Sequence, residues 1–346
     1  MNESWNPMQR AAARPMAGKR AWLITDGKAG MDVQAAGVAD ALGLVAERKL
    51  VAPSGLWKWA APWGPVDPRS GFGKAGADLG PPWPDVAIAT GRLSIPFIRA
   101  LKRKAGIATY TIVLQDPKTG CRTADMIWVP EHDRLRGPNV VTTPTPPHSL
   151  TRERLQTLRG TVPAAIAALP GPRVAVVLGG KNGVYKFTDA CDDRLKASLA
   201  SLVDLGASFM ITPSRRTHTR LLRAVDAATA QAPRILWNGE GQNPYPDFLA
   251  HADLLVVTAD SVNMTGEACA TGRPVYVFKP SGGSAKFDRF HAGLMRHGAT
   301  RELPAAVANL TPWAYAPVHA AETIAAEAEA RWMRRHLLLT GAGAAA

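Results

Sequence analysis

Four loops carry residue types that can do chemistry, and each follows a short apolar run. The first is Asp26-Gly27-Lys28-Ala29-Gly30. A carboxylate at a strand end can act as a general base. Glycines ahead of a helix let backbone N–H groups reach an anion. The plain alternative is a tight turn capped by Asp26. The second loop is Gly179-Gly180-Lys181-Asn182-Gly183, whose three glycines and one lysine suit close contact with phosphate oxygens. A flexible turn would need no cation there. The third is Thr212-Pro213-Ser214-Arg215-Arg216-Thr217-His218. Ser214 is placed to cap a following helix, which puts Arg215 and Arg216 in its first turn, where cations are disfavoured. An anionic ligand resolves that conflict, as do arginines that point into water.

The fourth loop is the most informative and runs from Val256 to Pro274. An apolar strand ends at Thr258, Asp260 follows, and Ser261 is placed as the helix N-cap. A capping box would require Glu or Gln at position 264, where Met264 stands, so capping leaves Glu267 unexplained. Asn263 and Glu267 are four apart and share a helix face. Gly272 and Pro274 form a stop signal. A carboxylate in such a helix can accept both hydroxyls of a ribose while the helix start faces phosphates. None of these loops reads GxGxxG or GxxxxGK[ST], which disfavours dinucleotide and Walker-type sites. No DxD pair lies at a strand end, so neither an obligatory metal nor another cofactor is expected.

The elements that must position these loops alternate regularly. Apolar runs at 21–25, 85–90, 110–115, 126–130 and 139–143 are separated by helical stretches near 31–43 and 93–104. A proline-rich break over 143–172 follows. The pattern then restarts with runs at 173–178, 208–212, 234–237, 253–258 and 274–278 and helices near 188–205, 215–227 and 262–271. This β-α-β alternation implies parallel sheets covered by helices. The expected fold is α/β, with two Rossmann-like domains facing a cleft. The boundaries read as a flexible basic tail (1–19), an N-terminal domain (20–145), a linker (146–171), a C-terminal domain (172–317) and a closing helix (318–340).

Composition narrows the partners. The 346 residues are 46% hydrophobic and 20% charged, a globular balance. The net charge is +13, and the basic excess is concentrated before residue 160, which points to an anionic partner for that half. Three scattered cysteines exclude a disulfide scaffold and a cysteine zinc site and fit a reducing compartment. No apolar run is long enough to span a membrane. Four of the ten tryptophans, Trp57, Trp59, Trp63 and Trp83, lie close together among Lys58, Arg69 and Lys74 in a Pro/Gly-rich excursion over 52–84. Tryptophan beside lysine suits a membrane interface with anionic lipid; packing onto the N-terminal sheet is the alternative. No nucleic-acid fold signature accompanies the segment, so no nucleic-acid partner is expected.

The spacing Ser-x5-Glu-x4-Gly-x-Pro after an apolar strand resembles the donor-binding segment of GT-B glycosyltransferases. More narrowly, ITDGKAGxxxQ at 24–34, LQDP at 114–117, the GGKNG loop, TPSRRT at 212–217 and the whole of 257–278 resemble the mitochondrial-fission "elongated mitochondria" family, which has bacterial members. The likeness spans about residues 20–335. It implies a GT-B-like fold and metal-independent glycosyl transfer from a nucleotide-diphosphate sugar. On this reading Gly179, Gly180, Lys181, Arg215, Arg216, Asp260, Ser261, Asn263 and Glu267 bind the donor, with Glu267 on the ribose. Asp26 is the base in a loop with Gly27, Lys28 and Gly30. Trp57, Lys58, Trp59 and Trp63 meet a membrane or a lipid-linked acceptor. The family pattern is commonly polar near 31–33, whereas this chain has Met31-Asp32-Val33. Two other readings follow from the same likeness: a non-catalytic scaffold that recruits a protein partner at a membrane, as plant relatives are linked to dynamin-related recruitment, or a nucleotide-sugar epimerase. The expected location is cytoplasmic, peripheral at the inner face of the membrane.

Overall fold

The structure is a computed structural model that describes residues 14–340. Arg10 of the expected basic tail lies outside them. The chain divides into two compact units, one up to Ser149 that takes the chain back from Ala320, the other Leu150–His319.

The first unit is built on six parallel strands: β1 (Arg20–Thr25), β2 (Val45–Leu50), β3 (Val86–Thr90), β4 (Tyr110–Leu114), β5 (Met126–Pro130) and β6 (Val140–Thr143), in the order β2-β1-β3-β4-β5-β6. Strands β3, β4 and β5 are buried at every position, while edge strand β2 buries only Lys49. Continuous apolar runs are what a parallel sheet covered on both faces requires. Helix α1 (Ala29–Leu42) follows β1, the short α2 (Gly55–Ala60) opens the Pro/Gly-rich excursion, and α3 (Ile95–Ala105) follows β3.

The second unit opens with α4 (Arg152–Gly160) and α5 (Ala164–Ala167), within the stretch expected as a linker. These helices bury Leu155 and Ile166 in a core shared with Phe248 and Leu249. Its main strands are β7 (Arg173–Leu178), β9 (Ser208–Pro213), β10 (Arg234–Leu236), β11 (Leu254–Thr258), β12 (Val275–Phe278) and β14 (Thr300–Glu302). They lie parallel in the order β10-β9-β7-β11-β12-β14, the dinucleotide-fold order 3-2-1-4-5-6. A two-stranded ribbon pairs β8 (Tyr185–Lys186) with β13 (Ser281–Gly282). The helices are α6 (Asp189–Asp204), α7 (Thr219–Ala228), α8 (Tyr245–His251), α9 (Val262–Ala270) and α10 (Ala285–Arg296).

The last helix, α11 (Ala320–Thr340), belongs to the first unit. Its Ala321, Ile324, Ala325 and Ala328 share one core with Ala35, Val38, Ala39 and Leu42 of α1. Alanines on both sides permit close helix approach. Among the described residues no helix is long and apolar enough to cross a membrane.

Helix α7 begins four residues later than its sequence pattern implies. The ring of His218 caps it, with Nδ1 accepting from the Leu221 N–H at 3.1 Å. Arg215 and Arg216 therefore stand in the preceding turn rather than in a helical first turn, and the expected clash with the helix dipole does not arise.

Helix α1 also packs against backbone. A Cβ on Gly37 would stand 2.5 Å from the carbonyl carbon of His148. Replacing an interior helical glycine by alanine ordinarily stabilises by about 1 kcal/mol. Gly37→Ala is expected to do the reverse and cost roughly 1–3 kcal/mol through forced displacement of the 148 segment. Urea unfolding against wild type measures the sign.

Candidate functional site

In an open α/β sheet, ligands bind outside the carboxyl ends of the strands where the strand order reverses. That place is β1/β3 in the first unit and β7/β11 in the second. The Asp26 and Gly179 loops leave β1 and β7 directly, so both candidate loops start at a switch point.

In the second unit the three loops are tied together by one carboxylate. Asp260 is buried. Its Oδ1 accepts from the Thr258 hydroxyl at 2.7 Å, and its Oδ2 accepts from the Gly180 N–H at 3.0 Å and from Arg216 Nη2 at 3.1 Å. Burial pushes its pKa up, and the N–H, hydroxyl and guanidinium donors oppose that rise. Asn182 Nδ2 donates to the Asp260 carbonyl at 3.0 Å. The Thr217 hydroxyl closes the turn on the Gly179 carbonyl at 2.6 Å. No side chain fits at 179 or 180: a Cβ on Gly179 would stand 2.2 Å from Asp260 Oδ1, and one on Gly180 would overlap the Arg216 carbonyl.

Gly179, Gly180, Arg216 and Asp260 are thus brought together, with Thr258 and Thr217 as partners that sequence reasoning missed. Arg216 is committed to Asp260, though its side chain is 47% exposed. Lys181 and Arg215 are exposed next to these anchored residues. Ser261 caps α9 as expected, accepting from the Met264 N–H at 3.3 Å. Asn263 lies one residue inside that helix and is partly buried.

Glu267 has a partner that its spacing does not reveal. The Tyr245 hydroxyl of α8 donates to Glu267 Oε2 at 2.5 Å. Burial pushes the Glu267 pKa up to about 7, against the opposing effects of the Tyr245 hydroxyl and Arg154. The same burial raises the Tyr245 hydroxyl well above its ordinary value. The pair links α8 to α9, so the carboxyl is held in one orientation.

In the first unit, the Asp26 side chain is only 2% exposed and pairs with Lys28 Nζ at 2.5 Å. Its Oδ1 is buried without a hydrogen-bond partner. The neighbouring strand end approaches closely: a Cβ on Gly91 would lie 3.3 Å from the Asp26 carboxyl atoms. Gly27 has a φ of 80°, which a non-glycine residue rarely adopts. Gly30 lies within the first turn of α1. Gln115 Nε2 donates to Gln34 Oε1 at 3.0 Å and lies 3.2 Å from Met31 Sδ. Gln115 and Lys118, in one loop after β4, both carry positive φ, a strain that clusters at functional sites. The LQDP motif contains Gln115, but composition gives no sign of its backbone.

The tryptophan segment presents its apolar residues outward. Leu56, Trp59 and Trp63 are 81%, 82% and 65% exposed. Lys58 is exposed and Trp57 is half-buried. Trp83 packs edge-on to Trp22 with centroids 5.9 Å apart. Arg92 donates to the carbonyls of Lys58, Trp59 and Ala61, and Arg99 to those of Pro62 and Trp63. The outward side chains therefore stand on a backbone held at five carbonyls.

Comparison with known proteins agrees with this architecture. "Mitochondrial fission protein ELM1" of Arabidopsis thaliana is 29% identical over 282 residues, which is 75% of this chain and 65% of that protein. "Uncharacterized protein RP120" of Rickettsia prowazekii (strain Madrid E) is 28% identical over 157 residues, 44% of each chain. This chain thus spans less than two thirds of the length of either relative. Among solved structures, an S. aureus MnaA–UDP complex superposes with a TM-score of 0.51 at 10% identity, covering 84% of this chain and 86% of that one. This likeness concerns the fold, two Rossmann-like units of the GT-B-like class. The family described as "Mitochondrial fission ELM1" matches residues 29–332. A match that runs from the first turn of α1 to Trp332 of α11 takes in both units, and the chain belongs to the mitochondrial fission ELM1 family.

Proposed function

We propose that this protein is a GT-B glycosyltransferase that uses a nucleotide-diphosphate sugar and acts on a membrane-associated acceptor. The observation that carries the reading is the Asp260 knot at the switch point of the second sheet. It fixes the Gly179–Asn182, Ser214–Thr217 and Asp260–Ser261 loops to one another and leaves Lys181 and Arg215 exposed beside the start of α9. Such an arrangement suits a diphosphate. The UDP in the S. aureus neighbour makes uridine nucleotides the first probes to try.

In the proposed reaction the acceptor hydroxyl attacks the anomeric carbon as the bond to the diphosphate breaks. Lys181, Arg215 and the N–H groups at the start of α9 offset the charge gathering on the departing diphosphate. Arg216 contributes from its place on Asp260. Glu267 receives the ribose hydroxyls, and Asn263 lies on the same helix face. Asp26 is the base for the acceptor proton in this reading, with Lys28 paired to its Oδ2. The reading requires no metal. The exposed Leu56, Trp59 and Trp63 beside Lys58 favour an anionic lipid surface as the place where the acceptor is met. That surface also favours the second reading, a scaffold that sits on a membrane without catalysis, so the nucleotide response separates the two. Epimerisation would interconvert sugars with no acceptor present.

A thermal-shift panel of nucleoside diphosphates and their sugar conjugates is expected to stabilise wild type. Gly180→Ala is expected to lose the response at least tenfold in affinity, because a Cβ at that position must displace the 214–217 turn. A wild type indifferent to every nucleotide would leave the scaffold reading standing.

The Glu267 pKa gives a pH signature. Its folded value of about 7 lies above the ordinary 4.5, so the native state holds this proton more tightly than the unfolded chain. The stability it contributes is complete below pH about 4.5 and is lost as pH rises through 7, with a magnitude on the order of 3 kcal/mol. Glu267→Gln should flatten that part of the stability profile; an unchanged slope between pH 5 and 8 would contradict the assignment.

Liposome flotation tests the surface. Wild type is expected to float with anionic vesicles, and Trp59→Ala combined with Trp63→Ala to bind at least tenfold less. Equal flotation of the two proteins would remove the membrane role.

A further inference from the structure

Strand β2 is an open edge of the first sheet. All of its residues pair with β1 in one unbroken parallel register, from Arg20 opposite Val45 to Thr25 opposite Leu50. The Val45 N–H donates to the Lys19 carbonyl, and the Val51 N–H to the Thr25 carbonyl. Bonding alternates along a ladder, so Val45, Glu47 and Lys49 bond to β1 while Ala46, Arg48 and Leu50 turn their N–H and C=O groups outward. Those outward groups meet no hydrogen-bond partner among the described residues. The other outer strands are shorter: β6 has four residues and lies beside α11, and β10 and β14 have three each.

Proteins guard such edges with proline, with bulges, or with charges that stand out over the edge. Val45–Leu50 has neither proline nor bulge. Its cations are turned back onto their own chain. Lys49, with a side chain 6% exposed, is paired with Glu47 at 2.5 Å and Asp78 at 2.7 Å and lies over the Trp22 ring. Arg48 is paired with Asp32 at 2.5 Å. Val45 and Leu50, by contrast, are 64% and 55% exposed. The edge is therefore an unguarded template for another strand.

The strand is complementary to itself. In an antiparallel pair related by a two-fold axis, facing residues share one side of the sheet, so the axis passes through a residue position. With the axis at Arg48, every outward group finds another. Ala46 faces the partner's Leu50, Arg48 faces the partner's Arg48, and Leu50 faces the partner's Ala46. Between them Glu47 faces the partner's Lys49 and Lys49 faces the partner's Glu47, opposite charges that favour the pair. Each Arg48 brings its own Asp32 to the axis. An axis at Glu47 or Lys49 sets that residue against its own kind and leaves the outward groups at one end of the strand unmatched.

We propose that β2 pairs with β2 of a second copy of this chain in the register centred on Arg48, joining the two six-stranded sheets into one. The pairing is independent of the glycosyltransferase reading. It borders the Asp26 loop: a Cβ on Gly27 would lie 3.0 Å from Leu50 Cδ1, and Arg48 holds Asp32 of α1. A second copy on β2 thus braces the two side chains against which that loop rests.

Sedimentation velocity of the full chain over a hundredfold range of concentration is expected to show a dimer forming. In residue-resolved hydrogen exchange, the amides of Ala46, Arg48 and Leu50 should gain at least tenfold protection over the same range, while those of Glu47 and Lys49, already bonded to β1, change less. Glu47→Lys alters a side chain that is 63% exposed and sets lysine against the partner's Lys49, so dimerisation should weaken at least tenfold. Arg48→Pro removes an outward N–H and no bond to β1 and should have the same effect. Arg48→Cys should form a disulfide-linked dimer on mild oxidation, because facing bonded residues have Cα atoms about 5.5 Å apart. Glu47→Cys should not. The proposal is overturned if the protein stays monomeric throughout with the amides of 46, 48 and 50 unprotected, or if a dimer forms undiminished in both Glu47→Lys and Arg48→Pro. Cross-linking through Glu47→Cys but not Arg48→Cys would overturn it as well.

Discussion

A desolvated carboxylate organises the second unit. Asp260 could not remain buried without its donors, and the donors come from three separate loops: the Thr258 hydroxyl, the Gly180 N–H and the Arg216 guanidinium. Removing such a carboxylate would leave buried groups unpaired, which is more costly than never having buried them. The same carboxylate explains the glycine at 179, where a Cβ would collide with it, and the approach of the 214–217 turn explains the glycine at 180. Loop conformation, glycine placement and the position of the α9 start are therefore consequences of one buried charge.

The first unit repeats the device with a difference. At its switch point Asp26 leaves β1 and crowds Gly91 at the end of β3. In the second unit the aspartate follows β11 and crowds the glycine that follows β7. Each switch point thus holds an aspartate against a glycine of the adjacent strand. The difference lies in satisfaction. Both oxygens of Asp260 have protein partners, whereas Asp26 keeps one buried oxygen without any. A fully bonded carboxylate is a structural tie. One with a spare lone pair can take a proton. The proposed division of roles, with the donor on the second unit and the base on the first, rests on that contrast.

The alternation of strands and helices was legible in the sequence because parallel strands buried on both faces must be continuously apolar. The glycine loops were legible because their positions follow strand ends. What was not legible depended on contacts distant in sequence. The start of α7 was misplaced because His218, not Ser214, provides the cap, and imidazole capping has little signature in composition. Glu267 was singled out as unexplained by capping, but Tyr245 lies 22 residues away on another helix, and nothing in either segment announces the pair. The final helix reads as a closing element from its alanines and glutamates. Its return to the first unit is decided by the matching alanine face of α1. The tryptophans had two readings in sequence, packed or exposed; Arg92 and Arg99 decide it by holding the backbone while Trp59 and Trp63 face outward.

The central claim is that the Asp260 knot builds a nucleotide-sugar site. Hydrogen–deuterium exchange with and without a saturating UDP-sugar tests it most directly. The account predicts added protection at the amides of 179–183, 214–217 and 261–265, with little change on β12 and β14. Protection absent from these three loops, or confined to other parts of the chain, would contradict it.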